Sequence, residues 1–127
     1  MNYRLGTAMF IVDVHSCNIL MGKRNDPNKL CYGMLSLPGG NVDAGEDILE
    51  SAVREVEEET GIVLDKNKVW PLTFTTELVT SDGSGDKYIT MYYYTFVSSL
   101  IVVENREPHK CQGWKLRSPT CCILNRL

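Results

Sequence analysis

The stretch GNVDAGEDILESAVREVEEETGI, residues 40–62, decides the reading of this chain. A glycine-rich turn leads into a helix whose last turns carry Glu55, Glu57, Glu58 and Glu59. Helix C-termini hold partial negative charge, so each acid there costs roughly 0.3–1 kcal/mol. Glu55, Glu58 and Glu59 also repel one another at i+3 and i+4 spacing. Something positive is expected on that cluster, and a divalent cation is the simplest candidate.

Ile48, Leu49, Ala52, Val53 and Val56 form one apolar stripe at helical spacing. Glu55 and Glu59 fall at its edge with Glu58 beside them, whereas Glu50 and Glu57 point elsewhere and read as solvated. An acidic cluster is more often only a wet helix face. The edge placement, the unfavourable helix end and the preceding glycines argue against that here. Asp47 and Glu50 have the spacing of a capping box, and Gly61 suits the position just past the helix.

The rest of the chain sets bounds. Its 127 residues make one domain, 1–127, with 43% hydrophobic and 23% charged residues. A net charge of -3 argues against a nucleic-acid polymer as partner, but not against small phosphorylated ligands whose charge a metal can offset. Five cysteines, without a C-x-x-C pair, read as free thiols. With no signal-peptide pattern and no apolar run of about 20 residues, the expectation is a cytoplasmic protein that does not enter the membrane.

Periodicity predicts strands over residues 5–14, 18–24 and 34–37, a helix over 47–60, and strands over 69–79 and 88–97. A loop is expected over 25–33, a turn-rich connection over 80–87, a polar loop over 105–113 and a last strand over 114–116. The tail, 117–127, shows no period. The class is α/β.

Hard cations such as Mg²⁺ take carboxylates, backbone carbonyls, water and phosphate oxygens. Glu55, Glu58 and Glu59 supply the carboxylates, and Gly39 or Gly40 could add a carbonyl. Arg54, four residues before Glu58, can hold that acid in place.

Gly40, Glu46, Arg54-Glu55-Val56, Glu58-Glu59, Gly61 and Ile62 match every fixed position of G-x5-E-x7-R-E-U-x-E-E-x-G-U, with U apolar. The chain therefore resembles the Nudix hydrolases, and Pro38-Gly39-Gly40 resembles their usual lead-in. The resemblance implies a mixed sheet between helices, with the box as loop-helix-loop. It also implies Mg²⁺-dependent hydrolysis (Mn²⁺ as the alternative ion) of a nucleoside diphosphate linked to another moiety. Glu55, Glu58 and Glu59 would be metal ligands and Gly39 a carbonyl ligand. Glu55 would help deprotonate the attacking water, Arg54 would orient the glutamates, and Glu46 would brace the loop.

Substrate marks lie outside the box. Gly22-Lys23-Arg24 resembles the G-x-R of nucleotide-hydrolysing members, in which the Arg contacts phosphate. Tyr88-Ile89-Thr90 resembles a Y-V-T strand whose Thr approaches the base. Residues 107–114, EPHKCQGW, resemble the E-P-x-K-C-E-x-W segment of MutT-like nucleoside triphosphate diphosphatases, which places Trp114 by the pocket. Gln112, Lys115 and Leu116 depart from that segment, and residues 117–127 replace the terminal helix of relatives. These features imply an (oxidised) purine (d)NTP as substrate and an altered or missing C-terminal helix, with an apolar patch inviting homodimer formation. The competing readings are a catalytically weak nucleotide-binding module, or a diphosphatase for ADP-ribose or isoprenyl diphosphate. A zinc site from His15, His109 and Cys111 matches no standard spacing.

Overall fold

A computed structural model describes residues 3–29, 32–78 and 87–120. Seven strands and one α-helix follow the order β1 (Tyr3–Asp13), β2 (Ile19–Arg24), β3 (Leu35–Ser36), β4 (Gly39–Asn41), α1 (Ile48–Thr60), β5 (Trp70–Leu78), β6 (Lys87–Val97) and β7 (Cys111–Arg117). A short 3-10 turn, Lys66–Lys68, joins α1 to β5. The long apolar strands are where alternation predicts them. The last strand starts at Cys111, inside the segment expected to be loop, because 111–117 pairs along β2.

The sheet is mixed. β1 and β6 run parallel over their whole lengths, Tyr3 opposite Lys87 through Asp13 opposite Val97. β5 adds antiparallel to β6, and β7 antiparallel to β2. β1 and β2 pair only at Val12 and Ile19 and then splay apart. Residues 35–41 enter that fork: β3 pairs with β2, and β4 pairs with β1 through Gly6–Asn41, Thr7–Gly40 and Ala8–Gly39. Gly39 and Gly40 of the lead-in, where the strand over 34–37 was expected to stop, thus begin a strand of their own. Glycine is needed there, because a Cβ on Gly39 would overlap the Thr7 carbonyl group.

Alternation sends Met9, Ile11 and Tyr93 to the face that α1 covers with Ala52 and Val56, and all five are buried. Ile48, Leu49 and Val53 complete the helix stripe at the margin of this core. Asp47 caps α1 by accepting from the Glu50 N–H at 3.1 Å, while the Glu50 carboxylate turns away to Lys66, 3.4 Å distant. Gly61 closes the helix at φ 77°, its N–H on the Glu57 carbonyl at 2.9 Å.

On the opposite face Phe10 meets Tyr92, while Trp70, Tyr94 and Phe96 contact one another, and Trp70 and Phe96 stay 41% and 53% exposed. Of the helices expected on both sides of the sheet, the described residues contain α1. The expectation of an altered C-terminal helix falls on a tail whose residues 121–127 lie outside the described residues. The 80–87 connection lies outside them too, apart from Lys87, which starts β6.

Candidate active site

Burying one face of α1 against β1 and β4 brings its acidic edge up to the glycines of the fork. The Gly39 N–H donates to Glu59 Oε2 at 3.1 Å. Gly40 lies so close to Glu55 that a Cβ there would sit 2.5–2.7 Å from the carboxylate atoms. Glu59 is 8% exposed. Burial pushes its carboxyl up to about 8, against the lowering effect of the Gly39 bond and with Glu55 and Glu107 adding repulsion. Glu55 is also pushed up, by burial first, although Arg54 opposes the shift. These acids have been taken out of water without enough positive charge to match.

Arg54 organises the other side of the cluster. Its guanidinium meets Glu46 in a two-point pair, Nε to Oε2 at 2.6 Å and NH2 to Oε1 at 3.0 Å. NH1 then reaches Glu58 at 3.0 Å and Glu55 at 3.2 Å. The planar fork suits this multiple contact in a way an ammonium could not. The Arg54 bonds hold the Glu46 carboxyl down at about 2, and the Asp43 N–H adds to them at 3.2 Å. Glu46 thus ties the turn at Asp43 to the helix at Arg54. Glu58 keeps half its side chain exposed and leans towards Arg54.

Among the described residues, no three His, Cys, Asp or Glu groups converge tightly enough to grip a metal in this arrangement. The cause is visible: Arg54 NH1 draws Glu55 and Glu58 to itself while Glu59 bonds Gly39. The donor set still suits a hard cation, being all oxygen, closely spaced and short of positive charge.

The loop before β7 contributes residues that sequence reasoning did not assign to this cluster. The Arg106 N–H donates to the Glu59 carbonyl at 3.1 Å, its NH1 to the Glu57 carbonyl at 3.3 Å, and the Glu104 N–H to the Thr60 carbonyl at 2.9 Å. The exposed carbonyls of α1 are therefore satisfied from outside the helix, where the last turn has no cation of its own. The next residue, Glu107, pairs with Lys110 at 2.8 Å. Glu107 holds the Lys110 ammonium above its usual range, and the nearby Glu59 and Glu55 add to this. Asn25 pins the loop to β2, its N–H on the Lys110 carbonyl at 2.9 Å and its Nδ2 on the Pro108 carbonyl at 2.8 Å. The EPHK sequence was visible, but its proximity to the glutamates depends on this pinning.

The expected substrate residues are less tightly grouped. Arg24 ends β2, exposed, and its charge reaches the Tyr88 phenol, as do those of Arg4 and Glu55. Tyr88 crosses over Gly6, and its hydroxyl donates to Asn41 Oδ1. Thr90 sits half-buried opposite Gly6 and Thr75. Trp114 lies on β7 opposite Gly22, packed at the core margin with Nε1 buried and unpartnered. Tyr88, outside the box, is bonded to it through Asn41.

A family model described as NUDIX domain matches residues 2–120. The chain is 34% identical over 100 residues to nucleoside triphosphatase NudI of Escherichia coli, covering 75% of this chain and 70% of that protein. It is 40% identical over 53 residues to an ADP-ribose pyrophosphatase of Methanocaldococcus jannaschii, covering 42% of this chain and spanning 30% of that protein's length. In structure it is similar to a MutT NUDIX hydrolase from Burkholderia pseudomallei, with a TM-score of 0.74 and 24% identity over 99% of this chain and 98% of the other.

Proposed function

The chain belongs to the Nudix family, and on that premise we propose that it hydrolyses a nucleoside diphosphate linked to another moiety, with (oxidised) purine (d)NTPs as substrates and (d)NMP and pyrophosphate as products. Nudix hydrolases use divalent metal ions, and Mg²⁺ is the ion proposed here, with Mn²⁺ as the alternative. Glu55, Glu58, Glu59 and the Gly39 carbonyl would hold it. When bound, the ion neutralises phosphate charge and acidifies a water molecule.

The chain's own residues have separate tasks in this reading. Glu59, 8% exposed, provides a buried carboxylate whose charge only a cation or a proton can balance. Glu55 faces the open backbone of Gly40 and takes the proton of the attacking water. Arg54 fixes the directions of Glu55 and Glu58 while Glu46 anchors Arg54 in turn. Arg24 and Lys110 offer cations to the phosphate chain, and Thr90 and Trp114 contact the base. The buried, undercompensated Glu59 carries the proposal, because a merely solvated acidic face would leave it in water.

The relative NudI, a nucleoside triphosphatase, favours the triphosphate reading. The methanogen relative favours a second one, ADP-ribose. A cytoplasmic location agrees with the free thiols of Cys17 and Cys111. Among the described residues, no helix is long and apolar enough to cross a membrane.

Product analysis with Mg²⁺ and a panel of dGTP, 8-oxo-dGTP, dCTP, ADP-ribose, diadenosine polyphosphate and isoprenyl diphosphate tests the proposal, with Glu59→Gln in parallel. Release of pyrophosphate from a purine triphosphate, lost in the variant, is the expected result. Preferred cleavage of ADP-ribose would move the substrate to the second reading. Nucleotide binding without turnover of anything would overturn the hydrolase assignment in favour of a binding module.

A further inference from the structure

An open cleft of about 190 Å³ lies between β2 and β7, lined by Lys23, Gln112, Gly113, Lys115 and Arg117. Three of its five lining residues are cations and none is an acid, in a chain whose net charge is -3. Lys115 lies opposite Met21 and Arg117 opposite Ile19, with Lys23 two residues along the same strand face. Lys115 and Arg117, two residues apart on one strand, and Lys23, diagonal to Lys115, set like charges near one another, and these repel. Among the described residues, none of the three makes an ion pair that would relieve this. Arg117 Nε is in addition buried without a hydrogen-bond partner.

The backbone is also shaped at this place. Between the pairs Gly22–Trp114 and Arg24–Cys111 the register shifts, so β7 carries one residue more than β2. Such bulges turn side chains aside and open a ladder. Gly113 sits in the bulge at φ 140°, and a Cβ on it would meet nothing within 4 Å. At Gly113 the cleft is therefore lined by bare main chain.

Leu20, Trp114 and Leu116 pack towards the α1 core, so the alternating residues Lys23, Lys115 and Arg117 stand on the other face. The cleft and the glutamate cluster are on opposite sides of the sheet. We propose that this cleft is a second anion site, which binds a phosphate or pyrophosphate group through Lys23, Lys115 and Arg117. A guanidinium and two ammonium groups around an open backbone suit a compact tetrahedral oxyanion carrying more than one charge. That group could come from free phosphate or pyrophosphate, or from the phosphate end of a nucleotide.

The test is an amide NMR titration of the full chain carrying Glu59→Gln. EDTA removes divalent ions from the glutamate side, and KCl holds ionic strength constant. Phosphate, pyrophosphate and AMP are the probes. Pyrophosphate should give saturable shifts at Lys23, Gly113 and Lys115, and Lys115→Gln and Lys23→Gln should each weaken it about tenfold, the loss expected for one charged hydrogen bond. Both lysines are exposed, so these variants keep the fold, and an unchanged melting temperature checks that. AMP binding about tenfold tighter than phosphate would assign the site to nucleotides, and equal binding would assign it to the free anion; both agree with the proposal. No saturation below about 10 mM, shifts confined to residues 39–59, or affinity unchanged in both lysine variants would overturn it.

Discussion

Glu59→Gln should make the metal-free protein more stable, and the gain should grow with pH. The Glu59 carboxyl is raised from 4.5 to about 8 by burial. Between those values the folded protein keeps a proton that the unfolded chain has released, so raising the pH favours unfolding. The penalty is absent below 4.5 and complete above about 8. At 1.36 kcal/mol per pKa unit its ceiling is about 5 kcal/mol. Relaxation and water entry around the ionised group should leave about 2–4 kcal/mol. Glutamine carries no such penalty and can still accept from the Gly39 N–H. Urea melts in EDTA from pH 5 to 9.5 should therefore start close together and diverge, with the variant ahead by several degrees in parallel thermal scans at high pH. Added Mg²⁺ should raise the wild type more than the variant, because the ion supplies the missing charge. Wild-type and variant stabilities that run parallel from pH 5 to 9.5 would refute the reasoning, as would a variant less stable at pH 9.

The two box glycines should fail differently. Gly40→Ala pushes on the mobile end of Glu55, so kcat should drop on the order of 100-fold while stability changes by less than about 1 kcal/mol. Gly39→Ala drives a Cβ into the Thr7 main chain and should cost about 1–3 kcal/mol or more in urea melts. Arg54→Lys removes the forked contact to Glu46, Glu55 and Glu58. Steady-state kinetics should show a lower kcat with KM little changed. On the acid side, Glu46, held at about 2 by Arg54, contributes stability above its unfolded value of 4.5 that is lost as pH falls towards 2. Glu46→Gln should flatten that acid limb in a circular-dichroism pH titration. Arg106→Ala loses its bond to the Glu57 carbonyl and should lower the melting temperature slightly in thermal scans.

The helix and its caps were legible because their causes are local. The stripe from Ile48 to Val56, the Asp47 cap and the Gly61 turn each act within a few residues. The order of β1, β2, β5 and β6 followed from alternation for the same reason. The Glu46–Arg54 pair spans eight residues of sequence; it was inferred as a brace through the family pattern, and the structure gives it a two-point geometry. β4 was not legible, since two glycines carry no side-chain period, and only the splayed β1–β2 fork makes them a strand. Lys110 and Glu107 were read as part of a substrate segment. Their charges reach Glu59 because Arg106 docks on the helix end and Asn25 holds the loop.

By itself the sequence determined the chemistry on offer: closely spaced carboxylates, an arginine to hold them, and a glycine turn ahead of them, all set by helical spacing. Only the tertiary structure decided how those groups behave. It buries Glu59 and turns Glu55 and Glu58 to Arg54. It brings Lys110 from β7's side and, among the described residues, leaves Lys23, Lys115 and Arg117 without ion-pair partners on the far face of the sheet. Burial and long-range pairing set those charge states, and both depend on contacts between residues far apart in the chain.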